Sequence, residues 1–354
     1  MSKYLSKKHE KLVPYTPGEQ PKDMQYIKLN TNESPFPPSK KAIELAGAAA
    51  EKLMLYPDPE CAALTEAIAD RLSLKKDQVL VTNGSDEILN FAFMAYCDKQ
   101  TPAIFPDITY GFYKVFADIN GVPYIELPLD CEFNIDLDAL CDIKGTVFLA
   151  NPNAPTGKLL SLSEVERVVA SDLDRIVVVD EAYIDFGGES ATMLIDKYEN
   201  LLVTQTFSKS RSMAGARLGF GAANASLIAD LNAIKYSTNP YNINRMSEAA
   251  GLGVMADEAY TKENCQKIIE NREYAAAELK KLGFEMTESK ANFIFTRHPE
   301  ISGMQVYTRL REKGILVRHF ETDRLRDYNR ITVGDKAQMQ ALIKAMEEIV
   351  NENK

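Results

Sequence analysis

Histidine is scarce in this sequence. His9, His298 and His319 are the only three, and none has a ligand-type residue at the spacing that puts two metal ligands on one helical face. No metal site is expected, and acid–base chemistry falls to other side chains. Paired cysteines are missing as well. Cys61, Cys97, Cys131, Cys141 and Cys265 are scattered, odd in number and free of any C-x-x-C pair, the pattern of reduced thiols rather than of a disulfide framework. No apolar run approaches the roughly 18–20 residues of a membrane span, and the residues after Met1 are polar, with no signal-peptide core. A cytoplasmic location is the expectation. Positive charge is in deficit: 41 Lys and Arg against 51 Asp and Glu leave a formal charge of −10, which argues against nucleic acid as a partner. The basic run Lys3, Lys7, Lys8 and Lys11 reads as a solvated terminus. Internal repeats and low-complexity segments are absent.

What is present is enough chain for more than one core. The 354 residues exceed the roughly 250–300 at which one hydrophobic core stops growing, and 45% hydrophobic with 26% charged residues is the composition of an ordinary globular enzyme. Residues 1–30 hold several prolines and little periodicity, so they read as an arm lying over a larger body. Thr31-Asn32-Glu33-Ser34-Pro35-Phe36-Pro37-Pro38 is loop, because prolines punctuate it. Across residues 31–240, short apolar runs alternate with amphipathic segments. Val79–Thr82, Thr146–Ala150, Arg175–Val179 and Leu201–Thr204 predict strands buried on both faces, and Asp86–Tyr96, Leu162–Ala170 and Ala225–Ile234 predict helices between them. That alternation specifies an α/β domain with a mostly parallel sheet. Beyond Asn239-Pro240, residues 241–354 carry a long helical stretch over Ser247–Leu282, short strands at Phe293–Thr296, Ile315–Arg318 and Arg330–Val333, and a closing helix at Lys336–Ile349. This is the pattern of a smaller α+β domain.

Two glycine motifs suggest nucleotides, and neither is in the right setting. Gly251-Leu252-Gly253-Val254-Met255-Ala256 follows a helical stretch where the dinucleotide fingerprint needs a strand. Pro155-Thr156-Gly157-Lys158 lacks the first glycine of a phosphate loop and has Leu159 after the lysine.

The chemistry sits at the carboxyl ends of the predicted strands, where open α/β sheets place their ligands. After Val79–Thr82 come Asn83-Gly84-Ser85-Asp86, a turn into a helix whose free N–H groups can hold a phosphate, unless Asn83 or Ser85 simply caps it. Asp180 follows a buried apolar strand, where a carboxylate is costly without a cationic partner. A protonated pyridine nitrogen is one such partner, and capping of the next loop is the alternative. After Leu201–Thr204 come Thr206, Ser208 and Lys209, with Arg217 eight positions on. A lysine desolvated at a strand end becomes nucleophilic toward a carbonyl, and Arg217 with the two hydroxyls can bind phosphate; taken alone, a lysine beside serines is mostly a surface residue.

With Leu29-Asn30-Thr31-Asn32-Glu33-Ser34-Pro35, Tyr56-Pro57-Asp58-Pro59, Thr109-Tyr110-Gly111, Pro155-Thr156-Gly157, Asp180-Glu181-Ala182-Tyr183, Ser208-Lys209, Gly215-Ala216-Arg217-Leu218-Gly219 and Arg330-Ile331-Thr332-Val333-Gly334 in this order, essentially the whole chain resembles the fold-type I, class I and II aminotransferases. Within that family it looks like the histidinol-phosphate branch. The resemblance implies a large domain built on a seven-stranded type of sheet, pyridoxal 5′-phosphate as cofactor, and a homodimer. Lys209 would form the aldimine and then shuttle the proton between substrate and cofactor. Asp180 would pair with the pyridinium nitrogen, Tyr183 would donate to the cofactor's phenolic oxygen, and Tyr110 would stack on its ring. Gly84, Ser85, Asp86, Thr206, Ser208 and Arg217 would hold the phosphate, joined by Tyr56 of the neighbouring subunit. Arg330 would fork onto a substrate carboxylate, and Arg318, Tyr15 and Asn32 would complete the substrate site. The implied reaction belongs to histidine biosynthesis: L-histidinol phosphate and 2-oxoglutarate interconvert with imidazole acetol phosphate and L-glutamate.

One departure stands out. The family has asparagine before Pro-Thr-Gly, where this chain has Ala154, so either Asn153 replaces it as a cofactor contact or Tyr183 holds the phenolic oxygen alone. Rival readings on the same scaffold are an aromatic-amino-acid aminotransferase and a threonine-phosphate decarboxylase. A non-catalytic cofactor-binding regulator is the reading from outside enzymology, and it would need a basic DNA-binding module for which this chain has neither length nor charge to spare. A nicotinamide dehydrogenase is weakened by the glycine motif's setting.

Overall fold

The computed structural model describes residues 2–10 and 12–353, so Lys11 of the basic run lies outside it. Among the described residues the largest sheet has seven strands, ordered Val79–Thr82, Gly219–Ala223, Leu201–Thr206, Val177–Asp180, Thr146–Ala150, Ala103–Pro106 and Tyr124–Leu127. Gly219–Ala223 runs antiparallel to both neighbours, and the other pairs are parallel. The alternation within the strands explains why helices cover both faces. Val147, Leu149, Val177 and Val179 pack into one hydrophobic cluster, while Phe148, Ala150, Val178 and Leu202 pack into the opposite one.

Three of the strands carry little sequence signal. Ala103–Pro106 is four residues long and Tyr124–Leu127 is a half-exposed edge. Gly219–Ala223 reads Gly-Phe-Gly-Ala-Ala, a poor strand by propensity. Its small residues answer to packing instead: a Cβ on Gly219 would lie 2.5 Å from the Ser85 nitrogen, and one on Gly221 would lie 2.8 Å from Ile88.

The expected strand Arg175–Val179 begins at Val177. The Arg175 guanidinium is drawn aside to the carbonyls of Leu140, Ile143 and Val168. The long helical stretch divides into Arg245–Met255 and Glu258–Lys281. Its glycines serve packing, as Gly253 lets the first of these helices approach the backbone at Ala42 in helix Lys40–Ala50.

A second, four-stranded sheet holds Phe293–Arg297, Tyr328–Thr332, Arg318–His319 and Glu285–Met286. The run expected as one strand, Ile315–Arg318, is split in two. Ile315–Leu316 pairs in parallel with Ile27–Lys28 of the N-terminal segment, and Arg318–His319 pairs antiparallel with Asn329–Arg330. No helix among the described residues is long and apolar enough to cross a membrane.

Candidate active site

Register brings the strand-end residues together. Asp180 sits opposite Ala150 on one side and Thr204 on the other, while Gly219 faces both Thr82 and Thr206. The turns that follow these strands therefore open at one edge of the sheet. They enclose a cavity of about 280 Å³ whose lining includes Ser85, Asp86, Tyr110, Ala154, Asp180, Tyr183, Thr206, Ser208, Lys209 and Arg217.

One end of the cavity is built for an anion. Helix Ser85–Tyr96 starts from Gly84 with no side-chain cap, so its first N–H groups point unpartnered into the site, together with the positive end of the helix dipole. Neither Asn83 nor Ser85 takes the capping role that the sequence left open. Gly84 has φ +77°, and a Cβ there would lie 2.7 Å from the Arg217 guanidinium, so only glycine lets that side chain lie against the turn. Arg217 donates to Ser208 Oγ at 3.4 Å and to Asp86 at 3.1 Å. Asp86 also accepts the Tyr110 phenol at 2.7 Å.

The opposite need appears at Asp180. It is 4% exposed and no cationic side chain pairs with it among the described residues. The Ala182 N–H and the Tyr113 phenol donate to its two oxygens at 3.2 and 3.1 Å. Two hydrogen bonds at about 1.5–3 kcal/mol each do not offset the several kcal/mol that burying a carboxylate costs. Burial accordingly pushes its pKa up to about 7. A cation brought by a ligand resolves the conflict, and a protonated ring nitrogen answers that requirement. The loop-capping reading is also correct for one of its oxygens.

Lys209 Nζ donates to the Thr31 carbonyl at 3.2 Å and lies 5.9 Å from the centre of the Tyr183 ring. Burial, then the neighbouring Arg330 charge, pull its pKa down to about 8, so a useful fraction is the nucleophilic free amine near neutrality. The free amine is the reacting form. Capture of pyridoxal phosphate by the cofactor-free protein is therefore expected to quicken with pH up to about 8 and then level off, whereas an ordinary lysine levels off near 10.5. Stopped-flow absorbance across that range checks it, and a rate still climbing well above pH 8 would count against a depressed Lys209.

Asn153 requires a correction. Its amide is consumed by Thr109 at 2.7 Å and by Ile108 and Thr156 at 3.0 Å, so it shapes the loop and Ala154 faces the cavity. The Tyr183 hydroxyl, for its part, accepts from the Asn32 amide at 2.9 Å. Asn32 adopts φ +57°, a conformation asparagine tolerates at a cost of about 1–2 kcal/mol. Its main chain is held there by the Thr332 hydroxyl at 2.9 Å and the Asn292 amide at 3.0 Å.

A second cavity of about 550 Å³ shares Thr31, Tyr110, Ala154, Tyr183 and Lys209 with the first and adds Tyr15, Asn32, Arg318 and Arg330. Arg318 and Arg330 are directly opposite across the antiparallel pair, and neither has a carboxylate partner among the described residues. Among the described residues Arg330 donates only to the Asn30 carbonyl, at 3.2 Å, and its buried Nε has no partner. Arg318 donates to the carbonyls of Thr16 and Pro17. The Tyr15 ring packs tilted against Phe112, with ring centres 4.3 Å apart. Tyr56 also lies outside both cavities in the single chain, 78% exposed and stacked on Tyr241 at 4.8 Å.

Sequence reasoning missed Tyr113. Its spacing of three from Tyr110, at the start of helix Phe112–Asn120, was the available signal.

Comparison with known proteins agrees with this geometry. Residues 24–346 match the family model for aminotransferase class I and II. A histidinol-phosphate aminotransferase of Brachyspira hyodysenteriae is 46% identical, covering 99% of each chain. One from Clostridium beijerinckii is 45% identical, over 100% of this chain and 99% of that protein. Among solved structures, the histidinol-phosphate aminotransferase of Clostridium acetobutylicum superposes with a TM-score of 0.84 at 26% identity, over 92% of this chain and 99% of that one. The Sinorhizobium meliloti enzyme in complex with pyridoxal-5′-phosphate also gives 0.84, at 24% identity over 93% and 92%. The chain belongs to the class I and II aminotransferases.

Proposed function

We propose that this chain is a pyridoxal-phosphate-dependent aminotransferase of histidine biosynthesis, exchanging the amino group of L-histidinol phosphate with 2-oxoglutarate. The carrying observation is the pair Arg318 and Arg330, opposed on adjacent strands without carboxylate partners and opening on the cavity that contains Lys209. Two guanidinium groups held only by main-chain carbonyls among the described residues suit substrates with two anionic ends, or with a phosphate in place of one carboxylate. The relatives' names support the same reading.

Bound in the first cavity, the cofactor supplies an electron sink for the charge left when the substrate's α-proton departs. The protein's part follows from the residues. Ser85, Asp86, Thr206, Ser208 and Arg217 hold the phosphate, and Tyr110 covers the ring face. Asp180 keeps the ring nitrogen protonated, and Tyr183, fixed by Asn32, donates to the phenolic oxygen. Lys209 holds the cofactor through its amine and, when free of it, acts as the base that takes the substrate's α-proton and delivers it two bonds away, across the substrate nitrogen. Arg330 binds a carboxylate, and Arg318 with Tyr15 binds the substrate phosphate.

Turnover of histidinol phosphate with 2-oxoglutarate tests the assignment against phenylalanine and threonine phosphate. A higher kcat/KM for phenylalanine, or release of carbon dioxide from threonine phosphate, would replace it with one of those activities.

Residues 1–30, 31–240 and 241–354 serve as arm, cofactor domain and small domain in this reading. The working unit is a cytoplasmic homodimer in which Tyr56 reaches the partner's phosphate site. The exposure of Leu53, Met54, Leu55 and Tyr56 supports that, as does the grip of Arg245 on the Tyr56 carbonyl at 2.5 Å. Co-expressing Tyr56→Phe with Lys209→Ala chains is expected to give more turnover at limiting cofactor than either variant alone, because one site per mixed dimer is then complete. No gain on mixing would place Tyr56 outside the site.

A further inference from the structure

Asp180 is held by a side chain that lies outside every motif named above. Tyr113 lies in the first turn of helix Phe112–Asn120, its N–H bonded to the Tyr110 carbonyl at 3.2 Å. Its ring is fully buried, wedged between Phe105 at 5.7 Å, Phe148 at 5.8 Å and the edge of Tyr110 at 5.7 Å. Packing on three sides fixes the direction of the phenol, and its one hydrogen bond among the described residues is to Asp180 Oδ2, at 3.1 Å. A buried hydroxyl with a single acceptor cannot turn elsewhere without losing that bond.

We propose that Tyr113 is a positioning residue that sets where the proton rests between Asp180 and the cofactor's ring nitrogen. The inference rests on the proposed reading in which Asp180 meets that nitrogen. A proton shared by a carboxylate and a pyridine sits on whichever is more basic in place. Burial makes the Asp180 carboxylate more basic, and the Tyr113 phenol is the leading influence drawing it back. By stabilising the carboxylate as an anion, the phenol leaves the proton on nitrogen, the form in which the ring withdraws electrons. The Ala182 N–H fixes the other oxygen, so the carboxylate cannot rotate to compensate for loss of the phenol. The two tyrosines three residues apart then divide the work: Tyr110 covers the ring's face, and Tyr113 governs its nitrogen through Asp180.

The test uses holoenzyme loaded with pyridoxal phosphate carrying ¹⁵N in the ring, whose chemical shift reports protonation directly. In Tyr113→Phe, which keeps the buried ring, the resonance is expected to move toward the unprotonated value. The value of kcat/KM should fall about 10- to 100-fold, the span of one hydrogen bond to a charged group. Incorporating 3-fluorotyrosine at position 113 strengthens the phenol as a donor and preserves the packing. Its resonance is expected to stay at the protonated value or move beyond it, and it serves alone if the phenylalanine variant folds poorly. An unchanged resonance in Tyr113→Phe, or a fluorotyrosine enzyme shifted toward the unprotonated value, overturns the inference. If the unmodified holoenzyme already shows an unprotonated nitrogen, the placement of Asp180 against the cofactor fails with it, which separates the two claims.

Discussion

Replacing Lys209 with alanine is expected to lower kcat by at least about 10⁴-fold, the upper reach of one positioned acid–base group. The fold should be spared, because the lysine's hydrogen bond is to the Thr31 carbonyl alone. Cofactor binding should be weakened rather than lost, since Gly84, Ser208 and Arg217 remain to hold the phosphate. Single-turnover measurements on protein reconstituted with pyridoxal phosphate separate these effects. A small primary amine added to the solution should restore part of the rate, because the missing group is a base of modest size in an open cavity. A variant within tenfold of the parent would mean that the proton is moved by another residue.

The second large effect concerns Arg330. Removing it leaves a substrate carboxylate buried without its partner, a loss of about 2–5 kcal/mol for truncating one side of a desolvated charge pair. The expected fall in kcat/KM for glutamate is roughly 10²- to 10³-fold, appearing chiefly in KM. Arg330 also depresses the pKa of Lys209, so its removal should shift the pH dependence of cofactor capture upward. Arg318→Ala should behave differently. It is expected to weaken the phosphate-bearing substrate about 10- to 100-fold and leave the glutamate half-reaction within a few fold. Comparing the two variants on both half-reactions gives a pattern that a general loss of positive charge does not reproduce. Equal losses on both substrates for both variants would remove the division of labour between the arginines.

Much of the site was legible because its chemistry is local to strand ends. Asp180 ends a run of β-branched residues and Lys209 lies three positions beyond the strand Leu201–Thr206; each has a bland local reading, and it is the order of these strand ends together with the family resemblance that points to a ligand. The misreading of Asn153 shows the limit of position along a loop. One residue separates it from the cavity, yet its amide is turned inward by Thr109, Ile108 and Thr156, partners that no local pattern announces. The amide that holds the Tyr183 hydroxyl is equally non-local: it belongs to Asn32, 151 residues earlier in the chain. Similarly, Ile315–Leu316 and Arg318–His319 read as one strand because their division depends on pairing with Ile27–Lys28. Gly219–Ala223 was hidden for a related reason: its composition is dictated by what must pass over it, and strand propensity has no part in that.

That glycine-rich strand has a mechanical consequence. Where Gly219 meets the Ser85 nitrogen at a distance no side chain could share, the anion cup and the central sheet are in backbone contact, with no layer of rotatable atoms between them. The cup cannot recoil on its own. An anion bound in it is as fixed as the sheet, so whatever tilting the rest of a bound ring undergoes during a reaction must pivot about that end. Alanine at position 219 would act less as a lost contact than as a shim, lifting the first turn of helix Ser85–Tyr96 and moving the pivot itself.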